Sequence, residues 1–214
     1  MTSWTTGRRL LVRAGTTALV GAPALAWTAR LHAAGTLRPT PAQTEGPYYP
    51  VEMPADSDAD LLRNGARVYS QGVAAWVEGR VSDGAGVPVK GAVVEIWQCD
   101  HLGHYHHPGD GNRADKSFQG FGRSVVQADG AYRFHTLRPV RYTGRTPHIH
   151  VKVRLGEREL LTTQLYVAGE AQNAADPLWG ALRDPADRAA ITVRFQAPQA
   201  GAPLRAWFPI VVAV

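Results

Sequence analysis

The chain is poor in cysteine, with Cys99 the single one among 214 residues. One thiol cannot form a disulfide within the chain. A nucleophilic cysteine needs a base and a positive environment, whereas Cys99 follows an apolar stretch that predicts a strand. We therefore expect a buried, structural thiol. The chain also lacks paired acids at a motif spacing, so Glu95 and Asp100 do not support acid–base hydrolysis.

Long charge runs, internal repeats and low-complexity tracts are missing as well. The net charge is +5, but four arginines within the first 30 residues, which contain no acidic residue, account for most of this excess. The remainder is nearly neutral, so we expect no nucleic-acid partner. The apolar stretch at residues 14–27 is shorter than the about 20 residues that span a bilayer, so we expect no stable membrane span.

The first residues have the layout of a twin-arginine export signal. Arg8 and Arg9 lie in a short basic start, and a mildly apolar stretch rich in Ala, Gly and Thr follows. One possible cleavage site of the signal is Ala24-Leu25-Ala26, and the small residues around Ala33 and Ala34 are another. The alternative is an N-terminal extension that stays attached. We expect residues 1–34 to be the signal of a bacterial protein that is periplasmic or extracellular.

Glycine and proline are plentiful, at 22 and 15 residues, which suits short strands joined by turns. Strand patterns occur at residues 73–81, 91–98, 131–135, 148–155, 160–167, 190–196 and 204–212. The turn at Asp83 and Gly84 predicts that the first two strands form an adjacent antiparallel pair. Between Asp176 and Arg188 we expect one helical turn, interrupted by Pro185. The pattern predicts an all-β fold, a β-sandwich of mostly antiparallel strands with long loops.

The organisation that follows is an extended arm over residues 35–72, without sustained periodicity, and one β-sandwich domain over residues 73–214. The loop at residues 99–123 is long for a compact domain, and such loops are more often functional than not. It contains Tyr105 and four histidines, His101, His104, His106 and His107. Histidines in an exposed loop are usually solvated, but a second metal site there stays open.

Two histidines, His148 and His150, begin the strand pattern at residues 148–155. Residues two apart on a strand face the same side, so the pair can offer two imidazoles to one metal. The same spacing also arises in the solvated stripe of a half-buried strand, which Lys152 would continue. Tyr142 and Tyr105 add two phenols, which are hard anionic ligands when ionised. Two phenolates and two imidazoles together suggest Fe(III).

Several motifs then carry a resemblance to a known family. They are residues 44–49 (Thr-Glu-Gly-Pro-Tyr-Tyr), 94–100 (Val-Glu-Ile-Trp-Gln-Cys-Asp), 103–105 (Gly-His-Tyr), 129–134 (Asp-Gly-Ala-Tyr-Arg-Phe), 138–142 (Arg-Pro-Val-Arg-Tyr), 145–150 (Arg-Thr-Pro-His-Ile-His) and 163–166 (Thr-Gln-Leu-Tyr). With these motifs in this order, the chain resembles the intradiol ring-cleavage dioxygenases, in particular the protocatechuate-type and small secreted members. For a catechol 1,2-dioxygenase the resemblance would predict a long helical N-terminal region, and the chain lacks one, which favours the protocatechuate-type or a minimal single-domain form.

The resemblance implies one non-haem Fe(III) per chain, bound by Tyr105, Tyr142, His148 and His150. It further implies that Tyr142 leaves the metal when substrate binds and takes up a substrate proton. Arg145 would provide positive charge beside the substrate, and Gln164 would orient that arginine or the oxygen species. Gly46 and Pro47 would line the substrate pocket.

The implied activity is cleavage of a catechol-type ring between its two hydroxylated carbons with O2, giving a muconate-type dicarboxylate. The resemblance leaves open which catechol is used, and whether the chain forms a homo-oligomer or needs a second subunit. One alternative is a non-catalytic β-sandwich module of the carboxypeptidase-regulatory-like type, suggested by the turn at residues 82–88. Another is a cupin-like enzyme using His148 and His150, although a suitable downstream glutamate and histidine are lacking.

Overall fold

The computed structural model describes residues 1–2 and 36–214. The predicted export signal, beyond its first two residues, lies outside the described part of the chain. The described strands are β1 (Arg63–Asn64), β2 (Arg67–Val68), β3 (Ala74–Ser82), β4 (Val93–Trp97), β5 (Phe121–Val125), β6 (Ala131–Leu137), β7 (His148–Leu155), β8 (Arg158–Val167), β9 (Thr192–Val193), β10 (Leu204–Trp207) and β11 (Ile210–Val211). Two short helices, α1 (Pro177–Ala181) and α2 (Pro185–Ala190), lie between β8 and β9.

Most strands belong to two sheets. In the first, β3 pairs with β6 in antiparallel orientation and with β10 and β11 in parallel orientation. The second has the order β5-β4-β7-β8-β9, with antiparallel pairing except between β8 and β9. A small separate hairpin consists of β1 and β2. The predicted all-β sandwich is confirmed.

The two sheets share one apolar core. The alternating pattern of β3 buries Val77 and Val81, which belong to the same cluster as Phe134 of β6. From the second sheet, Ile149 and Val151 of β7 join this cluster. Because successive side chains alternate across a strand, the other face of β7 presents its histidines away from this core.

A second, smaller cluster lies on that other face of the five-stranded sheet. It consists of Trp97, Cys99, Tyr105 and Phe121, which are each at most 3% exposed. Tyr48, Tyr49, Val140 and Tyr142 pack against it. The described part of the chain therefore has an aromatic layer outside the sandwich core, next to the histidines. Cys99 is buried, as expected.

Two expectations about connections are wrong. The strands β3 and β4 are not an adjacent pair, because β3 pairs with β6, β10 and β11 while β4 pairs with β5 and β7. The turn after β3 instead takes the chain from one sheet to the other. Pro185 does not interrupt a helical turn. It lies in the first turn of α2, where a missing backbone N–H costs nothing, and Asp184 caps that helix.

Other boundaries differ from the sequence patterns. β5 lies in a segment assigned largely to a loop, and the pattern at residues 190–196 forms only the two-residue β9. The pattern at residues 204–212 is divided into β10 and β11, separated by Phe208 and Pro209. Among the described residues, no helix combines the length and apolar character needed to cross a membrane.

Candidate active site

His148 and His150 lie on one face of β7, in the middle of the five-stranded sheet. Their side chains are 1% and 0% exposed, and the two Nε2 atoms are 3.2 Å apart. Lys152, next on the same face, is only 4% exposed. The interpretation of this stripe as a solvated face is therefore wrong. The strand instead brings two imidazoles together in a buried site.

A hydrogen bond prepares His148 for a ligand role, and burial keeps both imidazoles neutral. His148 Nδ1 lies 2.7 Å from the carbonyl oxygen of Thr146, so it carries the proton and donates it there. Nε2 of His148 then keeps a free lone pair. Burial, followed by the nearby charge of Arg145, lowers the pKa of His148 to about 4. Burial and His148 lower the pKa of His150 well below its usual value, so both rings are neutral at pH 7.

The two tyrosines reach the same place from different loops. Tyr105 follows β4, and its backbone N–H donates to the carboxylate of Asp110 at 2.9 Å. Tyr142 precedes β7. The Tyr105 and Tyr142 rings are perpendicular, with centroids 5.4 Å apart. The ring centroid of Tyr142 also lies 5.4 Å from that of His148, and the ring centroid of Tyr105 lies 6.1 Å from that of His150. All four predicted ligands therefore surround one location.

The donors at this location suit a metal ion. The Tyr105 hydroxyl and Nδ1 of His150 are buried and have no hydrogen-bond partner among the described residues. A buried polar atom without a partner costs about 1–3 kcal/mol, which a bound cation would offset at the hydroxyl. Among residues 36–214, no three His, Cys, Asp or Glu side chains converge as a metal site, so a metal here depends on the phenols. Two phenol oxygens and two imidazole nitrogens fit Fe(III).

The ring of His150 is held from two sides. Trp97, its partner across the β4–β7 pair, stacks on it with ring centroids 4.8 Å apart and planes at 8°. From another direction comes Gly46, where an added Cβ would lie 3.2 Å from Cε1 of His150. Gly46 has a φ of +77°, in the left-handed region that favours glycine. The ring therefore has little room to move.

Arg145 is fixed beside the tyrosine by a buried network. Its Nε and Nη2 donate to the carboxylate of Asp176 at 2.8 and 3.4 Å. Nη2 also donates to Gln164 Oε1 at 2.6 Å, and Nη1 to the Tyr142 hydroxyl at 3.4 Å. Gln164 is fully buried and contacts Tyr166. The predicted catalytic residues thus form one connected group.

An open cavity of about 930 Å³ leads to this group. Its walls include Tyr142, Arg145, Asp176 and Tyr48. Tyr48 stacks on Tyr105 with ring centroids 4.5 Å apart and meets Tyr142 edge-on at 5.7 Å. Gly46 and Pro47 precede Tyr48, and the structure places Gly46 against His150 and Pro47 in an exposed position.

Sequence reasoning missed Tyr48 and Asp176. Tyr48 lies in the motif at residues 44–49, which drew attention to the glycine and proline before it. Asp176 precedes Pro177, an arrangement typical of a helix start, but the pattern does not reveal that its carboxylate binds Arg145. Only the fold brings Asp176 and Arg145, 31 positions apart, together.

The histidines of the long loop have separate local partners. His101 contacts the Tyr69 hydroxyl, His104 lies 3.4 Å from Asp110, His106 contacts the Phe118 carbonyl at 2.6 Å, and His107 accepts from the Gly109 amide at 3.0 Å. The hydrogen bonds of His101, His106 and His107 stabilise the loop that carries Tyr105, whereas Nδ1 of His104 is buried without a hydrogen-bond partner in the described part of the chain. Because no three potential ligands converge among the described residues, a second metal site here has no support.

Similarity to known proteins shows the family of the chain. A family model described as Dioxygenase matches residues 44–207. The chain is 36% identical over 146 residues to the protocatechuate 3,4-dioxygenase beta chain of Burkholderia cepacia, covering 62% of this chain and 61% of the relative. It is 34% identical to the hydroxyquinol 1,2-dioxygenase of Corynebacterium glutamicum, covering 62% and 48%. The matched region thus spans about half to three fifths of these two relatives.

Solved structures lead to the same family. The dioxygenase domain of a dioxygenase and carbohydrate-binding protein fusion from Streptomyces sp. SirexAA-E has a TM-score of 0.63 and 33% identity, covering 83% of this chain and 99% of that one. An intradiol ring-cleavage dioxygenase from Tetranychus urticae has a TM-score of 0.65, covering 82% and 94%, and at 22% identity it supports the fold alone. The family model, the relatives and the shared fold together show that the chain belongs to the intradiol dioxygenase family.

Proposed function

We propose that the protein is a non-haem Fe(III) intradiol dioxygenase, which cleaves a catechol-type ring between its hydroxylated carbons with O2. The observation that carries this proposal is the convergence of Tyr105, Tyr142, His148 and His150 around one location, with Arg145 on its open side. The non-catalytic module loses its support, since it has no need for such a cluster. The cupin alternative does not account for the phenols.

Each of the four side chains has a defined part in holding iron. The neutral imidazoles of His148 and His150 would bind through nitrogen, and the phenols of Tyr105 and Tyr142 would bind after losing their protons. Burial raises the pKa of both phenols, so a cation is needed to favour their ionised forms. When bound, Fe(III) would supply Lewis acidity that favours binding of the catechol as a dianion.

Tyr142 is suited to handle a substrate proton. Tyr142 lines the cavity, whereas the Tyr105 hydroxyl is buried. Burial raises the pKa of Tyr142, and the charge and hydrogen bond of Arg145 oppose that rise. An ionised Tyr142 would therefore be a base at the cavity, stabilised by Nη1 of Arg145 at 3.4 Å.

Arg145, Gln164 and Tyr48 complete the proposed substrate side. Arg145 presents a fixed positive charge where the reacting ring becomes electron-rich. Because the guanidinium is already in place, it stabilises the negative charge that develops on the ring without a reorganisation cost. Gln164 accepts from Nη2 of Arg145 and keeps the guanidinium in place. Tyr48 covers Tyr105 with its ring and keeps water from that side of the site.

The test is to purify the protein, measure its iron content and visible spectrum, and follow O2 uptake with catechol, protocatechuate and hydroxyquinol. We expect a red-brown protein, coloured by phenolate-to-iron charge transfer, that converts at least one of these into a muconate. Colourless protein that takes up zinc in place of iron and is inert with every catechol would overturn the proposal.

Tyr142→Phe tests the ligand role directly, because it removes one phenolate. The charge-transfer band should shift and turnover should slow. Tyr132→Phe is the matched control, since the Tyr132 hydroxyl donates to the Phe208 carbonyl within the core. An unchanged spectrum in Tyr142→Phe, or equal shifts in both variants, would refute the role of Tyr142.

We further propose that residues 1–34 direct export by the twin-arginine route, on the basis of Arg8 and Arg9 followed by a mildly apolar stretch. Replacing both arginines with lysine should leave full-length protein in the cytosol. Export of this variant at the wild-type level would contradict the proposal. We also propose that the chain forms a homo-oligomer or needs a second subunit, and light scattering combined with the activity of the chain purified alone distinguishes these.

A further inference from the structure

We infer that Asp176 is a positioning residue for Arg145, an inference that rests on the proposed dioxygenase function. Asp176 immediately precedes α1, and its carboxylate is fully buried in the cavity wall beside the site. The Arg145 side chain is 13% exposed, so the pair is largely shielded from solvent.

The geometry of the contact determines where the guanidinium points. Asp176 binds the edge of Arg145 formed by Nε and Nη2, using both carboxylate oxygens. A two-point contact with a planar guanidinium fixes its rotation as well as its position. Nη1 is left on the side that faces Tyr142. The carboxylate therefore selects which N–H groups reach the reacting side.

The carboxylate is itself anchored by three backbone amides. Oδ2 accepts from the Thr146 N–H at 3.1 Å, and Oδ1 accepts from the N–H groups of Leu178 and Trp179 at 3.0 Å each. These amides belong to the loop that precedes β7 and to the first turn of α1. Asp176 thus connects α1 to the segment that carries Arg145. Because the groups that hold its carboxylate are backbone amides, its position does not depend on other flexible side chains.

Charge complementarity supports the same role. Burial raises the pKa of Asp176, but the hydrogen bonds from Arg145 and the backbone amides more than offset this, and the net pKa is lowered. Burial lowers the pKa of Arg145, and the carboxylate more than restores it. The two groups remain ionised together, so Arg145 can stay charged inside the protein without a partner from the substrate.

The chain contains a matched control in Asp184. This residue caps α2 as Asp176 caps α1, and it also pairs with an arginine, Arg38. The side chains of that second pair are 45–49% exposed and lie outside the site. Asp184→Asn therefore removes the same charge from the same kind of helix cap without affecting Arg145.

The experiment compares kcat/KM for the accepted catechol in wild type, Asp176→Asn, Arg145→Gln and the double variant. Asparagine has the same shape as aspartate and remains a good helix cap, so the change is confined to the carboxylate. We expect Asp176→Asn to lower kcat/KM about a hundredfold, since misplacing a reacting group by about 1 Å has an effect of this size. In the Arg145→Gln background the same change should alter kcat/KM by less than about twofold, because its target is gone.

Asp176→Ser, which keeps a capping oxygen but removes the carboxylate, is measured in parallel and should give the same loss. Asp184→Asn should keep wild-type kcat/KM. An equal loss in the presence and absence of Arg145 would show a merely structural effect and overturn the inference. If wild type is active and Asp176→Asn is equally active, the inference about Asp176 is overturned but the proposed function is not. If wild type is inert with every catechol, the proposed function and this inference are overturned together.

Discussion

Gly46→Ala tests how tightly the site holds His150. Two effects are expected, and they can be separated. Gly46 has a φ of +77°, where any L side chain adds a penalty of about 1–2 kcal/mol. The new Cβ would also lie 3.2 Å from Cε1 of His150, closer than ordinary contact. Trp97 also restricts the imidazole, because it stacks on the ring with centroids 4.8 Å apart.

Gly91→Ala isolates the backbone penalty. Gly91 has a φ of +79°, and no atom lies within 4 Å of an added Cβ. Both variants should therefore lose about 1–2 kcal/mol, and in a domain of this size the melting temperature should fall by about 2–8 °C. Only Gly46→Ala should displace His150. If His150 moves by a few tenths of an ångström, kcat/KM should fall by about tenfold, because a misplacement of about 1 Å lowers the rate by about a hundredfold.

The assay combines thermal unfolding with kcat/KM for the accepted catechol and with iron content. We expect Gly91→Ala to be less stable than wild type but equally active, and Gly46→Ala to lose both stability and activity. Wild-type kcat/KM and iron content in Gly46→Ala would refute the reasoning. An equal loss of activity in both variants would also refute it, because it would assign the effect to the backbone alone.

Three further predictions concern buried groups. Burial raises the pKa of Cys99 to about 12, so iodoacetamide at pH 8 should label it in urea but not in the native protein, and rapid native labelling would contradict this. Because the pKa of Asp176 is lowered by folding, its carboxylate stabilises the protein above about pH 4, and this stabilisation is lost as the pH falls through the lowered pKa. The stability of Asp176→Asn should therefore fall less steeply with acid than that of wild type, and an identical slope in acid unfolding curves would argue against this role. Trp97→Ala should cost about 3–5 kcal/mol in urea unfolding, whereas Trp207→Ala, at a residue 55% exposed, should cost less than about 0.5 kcal/mol; similar values would show that burial does not govern the difference.

Strand prediction succeeded where the pattern was local. β7 coincides with its predicted limits of 148–155, because alternation and the preceding Pro147 are both visible in the sequence. The pairing of β3 with β4 was wrong, since a turn between two strand patterns shows only that the chain reverses. Whether the second strand joins the same sheet or the facing one depends on which surfaces bury the apolar side chains, and those contacts are distant in sequence.

The candidate site divides in the same way. His148 and His150 are two residues apart on one strand, so their common face follows from strand geometry alone. The motifs around Tyr105 and Tyr142 supported the resemblance, which the family comparison confirms. Spacing along the chain could not show that both phenols approach the same imidazoles, because each lies in a loop whose path is set by packing.

The sequence by itself determined the all-β class, the residue types suited to a ferric site and the membership of the family. Tertiary structure alone decided that Asp176 binds Arg145, that Tyr48 covers Tyr105, and that Gly46 and Trp97 confine His150. The physical reason is that ligand chemistry and strand periodicity are local properties of a chain. Burial, stacking and ion pairing at the site join residues from separate strands and loops, and these contacts exist only once the sandwich has formed.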